Sequence, residues 1–455
     1  MSIRPLLDLT AAAAAEYLDG VPERSVVPTA DALAALGSLR RPLPDGPADA
    51  EQVLRELHAV GSPATVATTG GRYFGFVIGG TLPAALAANW MAGAWDQNGG
   101  LSVLSPAAAA IEAVAMGWLA DVLGLPAGVA GGFVTGATMA NFTGLAAARH
   151  ALLARAGWDV EAQGLFGAPP LTVVVGDEVH VSALKALALL GLGRERVVRV
   201  PVDGQGRMRA DQLPPLDGRT LVLVQAGNVN TGALDPAGEV CSAAREAGAW
   251  VHVDGAFGMW AAAAPARAHL AAGVELADSW AVDAHKWLNV PYDSGVAFCR
   301  HPDAMRAAMA TAAAYLVRGD EREPDDYTPE VSRRARGVEV WAALAALGRT
   351  GVADLVERCC RHATRFAEGF SAAGHEVLND VQLNQVMVRF GGSDEATRRV
   401  IAAVQADGTC WCGGTVWQGR AAMRVSVSSW ATTEEDVERS LAAILRLASG
   451  ILAEA

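Results

Sequence analysis

Asp283-Ala284-His285-Lys286-Trp287-Leu288-Asn289 closes an apolar run over 280–283, and this strand end followed by a lysine decides how the rest of the chain is read. Lys286 is one of only two lysines in 455 residues; Lys185 is the other, and the remaining 34 of the 36 basic residues are arginine. A guanidinium replaces an ammonium readily on a solvated surface. It cannot form an imine, because it stays protonated where a lysine amine can lose its proton and attack a carbonyl. A chain this rich in arginine keeps lysine by chance or where the amine itself is needed.

Working outward, short β-branched runs at 171–175, 197–201, 220–225, 250–254, 280–283 and 295–299 read as strands. Helical patterns lie between them, at 183–192 and 236–247. Continuous apolar strands alternating with helices predict an α/β fold with a mainly parallel sheet buried on both faces. Ligands collect at the carboxyl ends of such strands, where Asp254 and Lys286 fall. Residues 1–60 read as an N-terminal helical segment with a Pro-rich connector at Arg41-Pro42-Leu43-Pro44. Residues 61–331 form the large α/β domain, its last part (301–331) loop-rich and acidic, and 332–455 a smaller C-terminal α+β domain. That last domain opens with a long helical pattern from Ser332 to about Leu347 and has strands at 385–390 and 422–429.

Composition narrows the function. Half the chain is apolar and 19% is charged, which fits a globular protein with a large buried fraction. A net charge of −13 argues against a nucleic-acid partner, since phosphate neutralisation needs clustered cations. No uninterrupted apolar stretch of membrane-spanning length occurs, and the N-terminus reads as a short amphipathic helix, not a secretory signal. Cys241, Cys299, Cys359, Cys360, Cys410 and Cys412 follow neither a zinc-ribbon nor a disulfide spacing. Cys410-Trp411-Cys412 offers a thiol pair to a metal or an oxidant; the alternative is ordinary strand residues. The expectation is a cytoplasmic protein with no metal.

Three features carry chemistry. Gly131-Gly132-Phe133-Val134-Thr135-Gly136-Ala137-Thr138 leads into a helical run at 139–154, and free N–H groups at a helix start reached through glycines make a phosphate cradle. The same glycines would also serve a plain strand-to-helix turn. Trp250-Val251-His252-Val253-Asp254-Gly255-Ala256 puts a carboxylate at a buried strand end, where it needs a partner: a turn or helix cap, or a protonated pyridine nitrogen. Lys286, with His285 beside it, is the third. Phosphate cradle, acid for a ring nitrogen and imine-forming amine together are what pyridoxal 5′-phosphate requires.

With these motifs the chain resembles the pyridoxal-phosphate-dependent group II amino-acid decarboxylases, which have the fold type I (aspartate aminotransferase) architecture. The resemblance covers roughly residues 50 to 440. It includes Arg72-Tyr73-Phe74-Gly75-Phe76, Ser105-Pro106, Val179-His180-Val181-Ser182, Thr231-Gly232-Ala233-Leu234-Asp235-Pro236, Ser332-Arg333-Arg334 and Arg424-Val425-Ser426. It implies that Lys286 forms the imine, Asp254 pairs with the ring nitrogen, and His180 and Ala256 flank the ring. Gly136, Ala137 and Thr138 would hold the phosphate with His285 and Asp283, and Ser332 would reach the phosphate of a neighbouring subunit in a homodimer. Tyr315 matches the mobile-loop tyrosine that protonates carbon after CO₂ loss. Arg424 would bind a substrate carboxylate or make a strand-end ion pair; Phe74 and Phe76 would line the substrate pocket or pack in the core. Lys185 reads as a structural ammonium near the site.

Three positions depart from the family pattern: Met139 where glutamate is usual, Asn228-Val229-Asn230 in place of a threonine-rich segment, and Gly255 after Asp254. They leave the cofactor in place and open the outcome. The leading expectation is decarboxylation of an amino acid to its amine. The alternatives are another reaction on the same scaffold, as a carbon–carbon lyase or an oxygen-dependent decarboxylation–deamination to an aldehyde, and a catalytically silent homologue acting as a binding protein.

Overall fold

Runs such as Thr220–Gln225 and Trp250–Asp254, apolar on both alternating faces, form strands that are buried throughout. The computed structural model of the protein describes residues 2–311 and 322–454. Among these, twelve strands form two sheets. They are β1 (Tyr73–Phe74), β2 (Ala130–Val134), β3 (Thr172–Gly176), β4 (Val198–Val200), β5 (Thr220–Gln225) and β6 (Trp250–Asp254). β7 (Ser279–Asp283), β8 (Gly295–Cys299), β9 (Glu376–Val377), β10 (Gln385–Arg389), β11 (Trp411–Trp417) and β12 (Arg420–Ser426) complete them.

The larger sheet has the order β2-β8-β7-β6-β5-β3-β4, and only β8 runs against its neighbours. That one reversal matters for the site. β8 begins at the edge where β2 and β7 end, so Gly295 pairs with Val134 on one side and Asp283 on the other. The fold is the expected mainly parallel α/β architecture, with a smaller sheet of order β1-β11-β12-β10-β9. Phe133, Trp280 and Phe298 are fully buried, and each such side chain contributes about 1.5–3 kcal/mol by leaving water.

The six expected strands of the large sheet form within a residue or so of their expected bounds. β2 is an addition: Gly131 and Gly132 mask its strand character, since glycine has low strand propensity. Contact demands them, for a Cβ on Gly132 would sit 2.5 Å from the Tyr327 carbonyl oxygen. The described parts of 301–331 include a helix at Pro302–Met309 and a short 3₁₀ turn at Pro324–Tyr327. The long helix begins at Gly337, not Ser332, and continues to Ala372 across Gly348, whose φ of 59° only glycine adopts without strain. The helix Arg4–Gly20 buries none of its residues, and among the described residues no helix is long and apolar enough to cross a membrane.

Candidate functional site

The carboxyl ends of β2, β6 and β7 bring the sequence-derived residues together. Asp254 ends β6 and Asp283 ends the adjacent β7, with Lys286 three residues further on. The Lys286 ammonium lies 3.1 Å from Asp283 Oδ2, and His285 Nε2 lies 3.6 Å from Asp283 Oδ1. The helix Ala137–Arg155 starts at the same edge, and the Ala137 N–H donates to Asp283 Oδ1 at 2.6 Å. One of the helix-start amides is therefore engaged by protein, leaving Thr138 as the expected phosphate donor that this carboxylate does not use.

Glycine makes the cradle close. A Cβ on Gly136 would lie 2.9 Å from His285 Cε1, and one on Gly295 would lie 2.5 Å from the Gly136 Cα. His285 donates nothing to the chain at Nδ1; it accepts the Ser294 N–H there at 3.1 Å, and the Tyr292 ring stacks on it at 4.4 Å. Burial chiefly lowers the His285 pKa, opposed by the nearby Asp283 charge.

Asp254 is 5% exposed and accepts from Asn141 Nδ2 at 3.1 Å and, more weakly, from the Ala256 N–H at 3.4 Å. That second oxygen has spare acceptor capacity. His180 caps the helix Val181–Leu189 and sits among the charges of Asp254, Lys286, Arg424 and Asp283. Burial is the main cause that lowers its pKa, Lys286 and Arg424 add to it, and the two carboxylates oppose it. Neutral imidazole is therefore the form present near pH 7.

Arg424 lies on β12 and is partly buried, and desolvation lowers its pKa. Its guanidinium donates to the Val229 carbonyl at 3.0 Å, so the departing segment Asn228-Val229-Asn230 adjoins it. Asn228 Oδ1 shapes that turn by accepting from the Asn230 and Thr231 amides at 2.9 and 3.2 Å, and Asn230 accepts from Thr415 at 2.9 Å. Gly255 also has a local reason, because an alanine Cβ would approach Met259 Cγ to 2.6 Å.

Other expected residues fall elsewhere. Phe74 is 1% exposed and packs edge-on to Phe366 in the core. Phe76 does not share its strand face: β1 ends at Phe74, and Phe76 (φ 52°) is exposed and stacks on Trp411 at 5.5 Å, which itself stacks on Tyr73 at 5.1 Å. Ser332 is exposed and accepts from Asn98 Nδ2 at 3.3 Å. Lys185 is exposed on its helix, not held within the site. Tyr315 lies outside the described residues. Cys412 is buried in β11 with Cys410 just before it, and among the described residues no cluster of His, Cys, Asp or Glu is placed to hold a metal.

Sequence reasoning missed Asn141, His252 and Asn289, all fully buried. Asn289 (φ 57°) donates to the Trp287 and Ser428 carbonyls at 2.8 and 3.0 Å and accepts from the Trp430 N–H at 2.8 Å. It ties the Lys286 loop to the segment leaving β12. His252 was legible in principle: it lies two residues before Asp254 and so shares its strand face.

The donor set fits pyridoxal 5′-phosphate: an amine, a buried carboxylate with an oxygen to spare, and glycine-lined amides beside a histidine. Fold and site together define a fold type I pyridoxal-phosphate enzyme. The model of the pyridoxal-dependent decarboxylase conserved domain matches residues 37–390, and the chain belongs to this family of carboxy-lyases, with pyridoxal 5′-phosphate as cofactor. It is 26% identical to tryptophan decarboxylase 1 of Oryza sativa subsp. japonica over 93% of this chain and 89% of that protein. It is 29% identical to L-2,4-diaminobutyrate decarboxylase of Rhizobium meliloti (strain 1021) over 79% of this chain and 72% of that one. The crystal structure of Oryza sativa TDC with PLP and tryptamine superposes with a TM-score of 0.90 at 24% identity, covering 99% of this chain and 98% of that chain.

Proposed function

We propose that the protein decarboxylates an amino acid to its amine and CO₂, with Lys286 as the amine that binds the cofactor aldehyde. The convergence of Lys286, Asp254 and His180 at one sheet edge, beside the Gly136–Thr138 turn, carries the reading. When bound, the cofactor supplies an electron sink for the charge left when the carboxylate departs. Asp254 would keep a proton on the ring nitrogen through a charge-assisted hydrogen bond, which its burial would strengthen. His180, neutral and partly buried, would flank the cofactor ring, with Ala256 on the other side. Asp283 orients the Lys286 amine and fixes the first turn of the helix Ala137–Arg155, while the Thr138 amide, Gly136 and His285 hold the phosphate.

Arg424 takes a carboxylate of the substrate. A partly buried guanidinium loses hydration that an anion restores better than a carbonyl does. Ser332, exposed beside Asn98, is suited to reach a second subunit, and we place the working form as a homodimer. Six buried cysteines without a disulfide accord with a reducing compartment such as the cytoplasm.

The decisive experiment incubates the cofactor-loaded protein with a panel of amino acids and identifies products. CO₂ with the amine supports the proposal; an aldehyde with hydrogen peroxide or ammonia, or no product from any amino acid, rejects it. Lys286→Ala should abolish the yellow absorption of the bound cofactor, and a variant that keeps a borohydride-sensitive yellow band overturns the lysine assignment.

A further inference from the structure

Behind Asp254 runs a series of hydrogen bonds whose hydrogens can be placed one after another. A carboxylate oxygen only accepts, so Asn141 turns its amide nitrogen toward Asp254 Oδ2, at 3.1 Å. Its carbonyl oxygen then faces His252 Nε2 at 2.8 Å and, being an acceptor, requires the hydrogen on Nε2. Burial pushes the His252 pKa down to about 3, so the ring is neutral and Nδ1 is bare. Ser279 therefore donates to Nδ1 at 2.8 Å, and its oxygen receives the Trp250 indole N–H at 3.0 Å. Every donor in the series points toward Asp254.

The helix gives up packing to admit this arrangement. A Cβ on Gly144, in the middle of Ala137–Arg155, would lie 2.6 Å from His252 Cε1. A mid-helix glycine is less favourable than alanine. Asn141, His252 and Ser279 are each fully buried in a helix–sheet contact that apolar residues would fill without desolvating any polar group. The polar series ends on one carboxylate.

We propose that Asn141 and His252 are positioning residues for the cofactor: the series Trp250–Ser279–His252–Asn141 holds the Asp254 carboxylate in the orientation from which it receives the ring N–H. This rests on the assignment of Asp254 made above. A half-satisfied relay leaves the carboxylate free to rotate and strands a buried donor or acceptor.

The test uses full-length apoprotein titrated with pyridoxal 5′-phosphate, reading the dissociation constant, the absorption maximum of the bound cofactor and the thermal midpoint of the apoprotein. Asn141→Leu and His252→Phe should weaken binding roughly tenfold to a hundredfold and move the absorption maximum in the same direction as Asp254→Ala. His252→Gln, which can still donate toward Asn141, should recover most of both. If Asn141→Leu does not fold, the isosteric Asn141→Asp decides, with the same loss expected. Parental affinity and spectrum in the folded Asn141 and His252 variants, whatever their thermal midpoints, overturn the proposal while an altered Asp254→Ala keeps the Asp254 assignment. Parental affinity and spectrum in Asp254→Ala remove both.

Discussion

Gly295→Ala probes the closest backbone contact of the site. Gly295 sits in regular strand β8, so alanine imposes no conformational strain of its own, and the added methyl is the whole perturbation. Its Cβ would lie 2.5 Å from the Gly136 Cα, 2.6 Å from the carbonyl carbon and 2.9 Å from the nitrogen. Ordinary contact begins at 3.4 Å, so strand and turn must part by about 1 Å, and no side-chain rotamer can relieve it. Overpacking of this kind costs about 1–3 kcal/mol. The displaced atoms belong to the turn that presents the Ala137 and Thr138 amides, and β8 is hydrogen-bonded to β7, which carries Asp283. A shift of about 1 Å in such a turn should lower turnover on the order of a hundredfold and weaken cofactor retention. Cofactor titration of the apoprotein and thermal unfolding measure the two effects separately. A variant with parental cofactor affinity and parental unfolding would show that the two-glycine contact does not set the cradle.

Asn289→Ala should destabilise the fold by roughly 3–5 kcal/mol, since three partners, two of them buried, lose their hydrogen bonds, and should loosen cofactor binding; chemical unfolding and cofactor release read the two. Arg424→Met should lower kcat/KM for the preferred amino acid about a hundredfold with the cofactor spectrum unchanged, and unchanged kcat/KM would return Arg424 to a structural role. Acid should weaken the fold through His252. Its ring titrates at about 3 when folded and at the ordinary 6.5 when unfolded, so the unfolded chain binds more protons between these values and stability is lost as pH falls through that window. From about pH 7 to about pH 5 the loss is about 2 kcal/mol. Asp235, whose carboxyl burial raises to about 6, acts in the opposite sense over part of that range. The difference in unfolding free energy between wild type and His252→Gln isolates the histidine, and a pH-independent difference would refute its buried neutral state.

Much of this site is legible because its residues are chemically scarce. A lysine in a chain of arginines and an aspartate closing an apolar strand each break a local pattern, and their positions at strand ends place them on one edge of a parallel sheet. The neighbours that tune them break no pattern. Asn141 looks like one polar residue in a helix, His252 like a strand residue, and Gly144 like a tolerated glycine; each is meaningful only through contact with the others. Phe74 and Phe76 show the converse: two residues apart, they would share a face of a continuing strand, but β1 ends at Phe74.

Residue chemistry and hydropathy period alone pointed to the α/β architecture, the cofactor and the candidate amine, because imine formation, ring-nitrogen pairing and strand burial are properties of residue types and short spacings. Tertiary structure alone decided which amide Asp283 occupies, how Gly295 admits Gly136, and that Arg424 faces Val229. The first two depend on a single antiparallel strand set between two parallel ones, which brings residues more than a hundred positions apart into contact; the third depends on β12 of the smaller sheet lying against the segment that follows β5.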